Sequence, residues 1–229
     1  MRRSLLFVAL AAGVALLGLQ VTTGPAVAQV LPPDSNAYGN TYGEWSARWW
    51  QWVLSIPEAT NPNLDPTGAH CAEGQAGPVW FLAGTFGGSA IRACTVPAER
   101  ALFFPLLNAA FGAATFDCAP TTPDVPCEVE VLRAAAAAVV DNPTTLEASV
   151  DGVPLQDLSA YRVPSPVFSL TLPEGAVLGL PSGTFAPMVS DGYWLMLAPL
   201  PAGAHIIHFK GVSNSGFEVE VTYTLTVGP

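Results

Sequence analysis

The chain has 229 residues, 50% of them hydrophobic and only 11% charged, with a formal net charge of −10. An acidic chain of this kind excludes nucleic acid as a partner. Its eight Lys and Arg residues are too few and too scattered to form a basic segment for anionic membranes.

Arg2-Arg3 precede the apolar run Leu5–Leu19, and Ala26-Val27-Ala28 places small residues at −3 and −1. This pattern predicts a signal peptide over 1–28, cleaved before Gln29, and a secreted protein, extracellular or periplasmic. Loss of Arg2 and Arg3 would take the net charge to −12. The leader's apolar run is about 15 residues, below the roughly 20 that cross a bilayer, and no later segment stays apolar as long. No transmembrane segment is therefore expected after cleavage, and residues 29–229 are expected to form a single β-rich domain. Without a Cys near the cleavage point or a hydrophobic C-terminal tail, release or non-covalent surface association is expected.

The first element is a helix. Thr41 and Glu44 have the spacing of a capping box, so a helix should start there and run to about Ile56, stopping at Pro57. On its wheel Trp45, Trp49, Trp52, Val53 and Ile56 form one stripe, and Ala47, Trp50 and Leu54 a second on the far side. From Pro57 to Pro78 turn residues dominate and predict a long surface loop pinned by Cys71.

Three apolar runs follow, Val79–Phe86, Ala90–Val96 and Ala101–Leu107, which read as consecutive strands with a hairpin. Pro105 makes the third an edge strand or a bulge. Glu128–Asp141 is alanine-rich and predicts a second helix. The remainder is β: Leu146–Val150, a turn at Asp151-Gly152, then Val167–Leu172, Gly192–Ala198, Ala204–Lys210 and Phe217–Val227. In the last, apolar Phe217 to Val227 alternate with Glu218, Glu220 and three threonines, which predicts one buried and one wet face. The fold class expected is mainly β: an antiparallel β-sandwich of immunoglobulin-like or jelly-roll type, carrying one Trp-rich and one Ala-rich helix.

Cys71, Cys94, Cys118 and Cys127 form an even set in an exported chain and predict two disulfides, with three pairings open. Proximity favours Cys71–Cys94 and Cys118–Cys127. No C-x-x-C spacing supports zinc. Within Ala204–Lys210, His205 and His208 are three apart and face opposite sides of a strand, so no metal site is expected from them. No cofactor is expected either, because nucleophile, zinc-protease, phosphate-loop and dinucleotide motifs are all missing.

Six tryptophans are the conspicuous aromatic feature, four of them within residues 45–52. Trp50, off the main stripe, and Trp194 with Tyr193, after the Ser190-Asp191-Gly192 turn, are the candidate ligand-binding residues, because flat rings stack on sugars. Asp65 and His70 share the long loop and could form an acid–base pair.

Trp49-Trp50-Gln51-Trp52, Asn61-Pro62, Asp65, Gly68, Cys71, Gln75, the run Gly77–Gly84, Arg92, Cys94, Pro97, Asp191–Trp194 and Gly203-Ala204-His205 together resemble a group of small secreted bacterial proteins of unknown function. The resemblance covers most of residues 41–227. It implies an exported bacterial β-protein and no activity. The expected function is a secreted, non-catalytic binding module for carbohydrate or another surface ligand. The alternatives are a polysaccharide hydrolase or lyase using carboxylates or His70 of the 57–78 loop, and a structural or assembly protein of the cell envelope.

Overall fold

The computed structural model describes residues 28–112 and 128–228. The expected Cys118–Cys127 bridge and most of the expected signal peptide lie outside the described residues.

Helix α1 (Tyr42–Leu54) starts where the capping box places it: Glu44 N–H donates to Thr41 Oγ1 at 3.2 Å, and Thr41 N–H donates to Glu44 Oε2 at 2.7 Å. Strands β1 (Val79–Phe81), β2 (Gly88–Pro97) and β3 (Ala101–Gly112) follow. Helix α2 (Val129–Val140) is next, then β4 (Thr145–Val150), β5 (Val153–Pro154), β6 (Arg162–Pro164), β7 (Phe168–Leu172), β8 (Gly183–Leu197), β9 (Gly203–Val212) and β10 (Glu218–Gly228).

The strands form two facing sheets. Sheet A has the order β1-β3-β8-β6, with β7 also on β8; sheet B has the order β2-β10-β9-β4-β5. Leu102, Phe104, Leu195 and Leu197 of sheet A meet Ile207, Phe209, Val221 and Leu225 of sheet B in the sandwich core. Helix α1 covers the other face of sheet A, where Trp45, Trp49, Trp52 and Val53 pack with Phe81, Phe103, Trp194 and Met196. Among the described residues the result is three layers, with sheet A covered on both faces and sheet B on one.

That asymmetry explains the hydropathy patterns. β3 is buried along nearly its whole length and reads as a continuous apolar run. β10 strictly alternates and reads as half-wet. It also corrects the expected hairpin: β1 pairs in parallel with β3, whereas β2 crosses to sheet B and pairs in parallel with β10. β2 alternates exposed and buried residues, which suits a one-sided sheet. Pro105 sits at a bulge, as expected, but in a strand between two neighbours and not at an edge. Pro105 lies past Phe103, the last residue of β3 paired with β1, and the register shift from Pro105 to Leu107 against β8 accommodates the missing N–H.

Candidate functional site

The tryptophan helix is a core element. Both of its stripes are buried: Ala47, Trp50 and Leu54 lie in the same cluster as Phe168, Leu170 and Leu172 of β7. Three indole N–H groups tie it to its surroundings, Trp45 donating to Ala37 O at 2.8 Å, Trp49 to Leu82 O at 3.0 Å and Trp52 to Glu73 O at 2.8 Å. Trp50 is 9% exposed, Tyr193 6% and Trp194 0%. Trp50 packs edge-on to Trp49 at 5.2 Å, and Trp194 stacks on Phe103 at 5.2 Å, 4° from parallel. Tyr193 faces the inter-sheet core on the opposite side of β8 from Trp194. More than nine-tenths of each of the three is covered, so the stacking platform expected from them is not formed. The reason is that β7 closes over the helix stripe that would otherwise be wet.

The long loop holds the built polar site. Its first segment is anchored by Asn61, whose Nδ2 donates to Ile56 O at 3.0 Å and to Val53 O, satisfying carbonyls at the end of α1. Asp65 then closes a turn. Its carboxylate accepts from Thr67 N–H and Oγ1, both at 2.8 Å, and from His70 N–H at 2.8 Å. Burial acts to raise the Asp65 carboxyl, but the hydrogen bonds from the His70 and Thr67 backbone and the Thr67 hydroxyl outweigh it and hold the pKa at about 2. Asp65 is therefore an ionised structural acceptor near neutrality. The bond is to His70's backbone and not its ring, so the expected acid–base pair is not assembled.

The loop is fastened to sheet B along β2. Ala93 N–H donates to Thr67 O at 2.8 Å, which occupies part of the outer edge of that strand. Gly68 has φ +92°, and a Cβ there would stand 2.2 Å from Ala93 O, so only glycine admits the approach. Cys71 and Cys94 are joined, with Cα atoms 6.0 Å apart. Gln75 completes the attachment to sheet A by bonding the Phe81 backbone in both directions, at 2.8 and 3.0 Å.

At the centre lies Arg92, 2% exposed. Its Nε donates to Asp65 O at 2.7 Å, and Nη1 donates to Ala83 O, Gly84 O and Tyr223 Oη at 2.8, 2.9 and 3.0 Å. Nη2 donates to Asn63 O at 3.3 Å. Every one of these acceptors is an uncharged oxygen. Asn63 is itself 5% exposed, and its Oδ1 has no hydrogen-bond partner among the described residues. Asn63, Leu64, Asp65, Thr85, Phe86, Ser89 and Arg92 are among the residues lining a pocket of about 240 Å³. It is small beside typical ligand pockets of roughly 300–1,000 Å³ and suits a compact polar group.

Ser89 also belongs to the outer face of sheet B, so the pocket opens at one end of that face. There β2, β10 and β9 run side by side, and Ile91, Thr222 and His208 form one rank, Ala93, Thr224 and Ile206 the next, and Thr95, Thr226 and Ala204 the third. His205 and His208 point to opposite sides, as expected. His205 Nδ1 meets Asp151 Oδ2 at 2.7 Å, and His208 Nε2 meets Glu220 Oε1 at 3.1 Å on the outer face. Among the described residues no group of three or more His, Cys, Asp or Glu side chains has an arrangement that could hold a metal ion.

No protein-family model, curated protein or solved structure matches this chain.

Proposed function

We propose that the protein is an exported, non-catalytic binding module for carbohydrate or another surface ligand, and that its site is the pocket between the 57–78 loop and the start of β2. The observation that carries this reading is the guanidinium of Arg92. It is a buried charge whose hydrogen bonds all go to neutral oxygens, set in the wall of an open pocket beside the unpartnered Asn63 Oδ1. The guanidinium itself is hydrogen-bonded throughout, so the group that wants a partner is Asn63 Oδ1, which has none among the described residues and stands beside the open pocket.

The lining favours binding over catalysis. Asp65 is the carboxylate there; at a pKa of about 2 it has no proton to donate and is a weak base near neutrality, and both its oxygens already accept hydrogen bonds from Thr67 and His70. The scaffold is rigid, because a disulfide, a strand-edge hydrogen bond and the Arg92 fan all fix the loop. Such preorganisation lowers the ordering cost of binding.

The test is co-sedimentation of residues 29–229, oxidised, with a panel of insoluble polysaccharides, with assay of the same supernatants for released sugar. Binding without release, lost in Ser89→Trp at the pocket rim, is expected. Release of sugar, or binding indifferent to Ser89→Trp, contradicts the proposal.

A further inference from the structure

We propose that the ligand is an uncharged glycan chain, with one end ring in the Arg92 pocket and the following rings lying on the outer face of sheet B. This rests on the pocket reading above and adds the ligand's charge class and the surface along which it continues.

The first argument is charge. The charged residues of the pocket lining are Asp65 and Arg92, one of each sign, so the lining carries no net charge. The ranks from Ile91, Thr222 and His208 to Thr95, Thr226 and Ala204 contain no acidic residue, Lys or Arg, and the rank between them and the pocket, Ser89, Glu220 and Lys210, holds one charge of each sign, paired with each other. The chain as a whole carries −10. An acidic polymer is therefore repelled by the molecule and, among the described residues, finds no free cation on these ranks. Lys210 is already engaged, 3.1 Å from Glu220 and 3.2 Å from Glu218. A neutral polymer meets a surface matched to it.

The second argument is the chemistry of the face. Thr222, Thr224 and Thr226 project from alternate positions of β10, about 7 Å apart. Thr95 stands opposite Thr226 on the neighbouring strand. Threonine offers a hydroxyl that both donates and accepts, together with a methyl group. Ile91 and Ile206, 76% and 52% exposed, flank this row on either side. Sugar rings have the complementary pattern, hydroxyls at the rim and C–H groups on the faces. Continuity is supplied by Ser89, which lines the pocket and precedes Ile91 on the same side of β2.

The test is affinity electrophoresis through gels containing galactomannan or hydroxyethyl cellulose, both uncharged, or polygalacturonate, which is anionic. Alongside, calorimetry would measure binding of mannotriose and cellotriose, which are too short to reach the second and third ranks. Three proteins are compared: wild type, Thr224→Lys on the exposed face and Ser89→Trp at the pocket rim, each first shown to melt like wild type. The expected result is retardation by an uncharged polymer and none by polygalacturonate. Thr224→Lys should weaken polymer binding at least tenfold and leave the trisaccharide affinity unchanged, and Ser89→Trp should abolish both. Wild-type polymer affinity in Thr224→Lys, with loss in Ser89→Trp, overturns the inference and leaves the pocket reading standing. Preference for polygalacturonate also overturns it. Retardation by no polymer, or indifference to both substitutions, overturns inference and reading together.

Discussion

Arg92 and Tyr223 are direct register partners on adjacent parallel strands, with the guanidinium 5.6 Å over the phenol ring and Nη1 donating to Tyr223 Oη at 3.0 Å. The phenol in turn donates to Ala83 O at 3.0 Å. One buried pair thus joins the 57–78 loop, the turn after β1 and the centre of sheet B. Removing the guanidinium leaves the carbonyls of Asn63, Asp65, Ala83 and Gly84 without this donor. Arg92→Met should cost at least about 3 kcal/mol and Tyr223→Phe about 1–2 kcal/mol. Urea denaturation checks both, and an Arg92→Met protein as stable as wild type would contradict the anchoring role.

The disulfide should matter because of the loop it closes. With a sequence separation of 23, the chain-entropy account gives about 3 kcal/mol for Cys71–Cys94. Reduction should lower the denaturation midpoint accordingly. It should also speed protease cleavage within 57–78 before global unfolding, because the bridge, with the Ala93–Thr67 bond and the Arg92 hydrogen bonds, holds that loop to β2.

Tryptophan burial predicts spectroscopy. All six indoles are 9% exposed or less. Emission should be blue-shifted from that of free tryptophan and resist iodide quenching, with the change to exposed emission coinciding with unfolding. Trp194→Ala, which removes the ring stacked on Phe103, should destabilise by roughly 3–5 kcal/mol. A readily quenched emission would contradict the three-layer arrangement.

His205 sets the expected pH dependence. Its Nδ1 lies 2.7 Å from Asp151 Oδ2 and its Nε2 2.9 Å from Pro201 O, so both nitrogens face acceptors and the doubly protonated ring fits best. Partial burial pulls the imidazole pKa down, but the Asp151 bond, the Pro201 carbonyl and the Asp151 charge outweigh it and raise the value above 6.5. The folded state therefore holds this proton to higher pH than the unfolded chain does. Its stabilisation is complete below the unfolded value and fades as pH climbs through the raised one. For Asp151, burial works upward and the His205 bond, the Ile206 N–H and the His205 charge work downward, leaving the carboxyl below 3.8. That contribution is present above 3.8 and is lost as pH falls through the lowered value. The stability gap between wild type and His205→Gln should be open at about pH 5.5 and smaller at about pH 9. A pH-independent gap would contradict the clamp.

Some of this was legible in the residues themselves. The start of α1 followed from Thr41 and Glu44, the two faces of β10 from its strict alternation, and the opposite orientations of His205 and His208 from their spacing. The crossing of β2 to the second sheet was not, because strand pairing is a non-local choice that local alternation does not encode. Trp50 misled for a related reason: a wheel shows which face it shares, but not that β7 folds over that face. The pocket left one readable signal. Arg92 sits in phase with Cys94 and Val96, on the inward side of a strand, where a charge demands a fixed set of partners.

The most direct measurement is a two-dimensional NMR titration of isotope-labelled protein with mannopentaose and cellopentaose, following backbone amides and the six indole N–H signals together. The account predicts shifts confined to Asn63–Asp65, to Thr85–Thr95 and to the outer positions of β9 and β10, with the indoles of Trp50 and Trp194 unmoved. Shifts centred on those two indoles, or none anywhere, would contradict it.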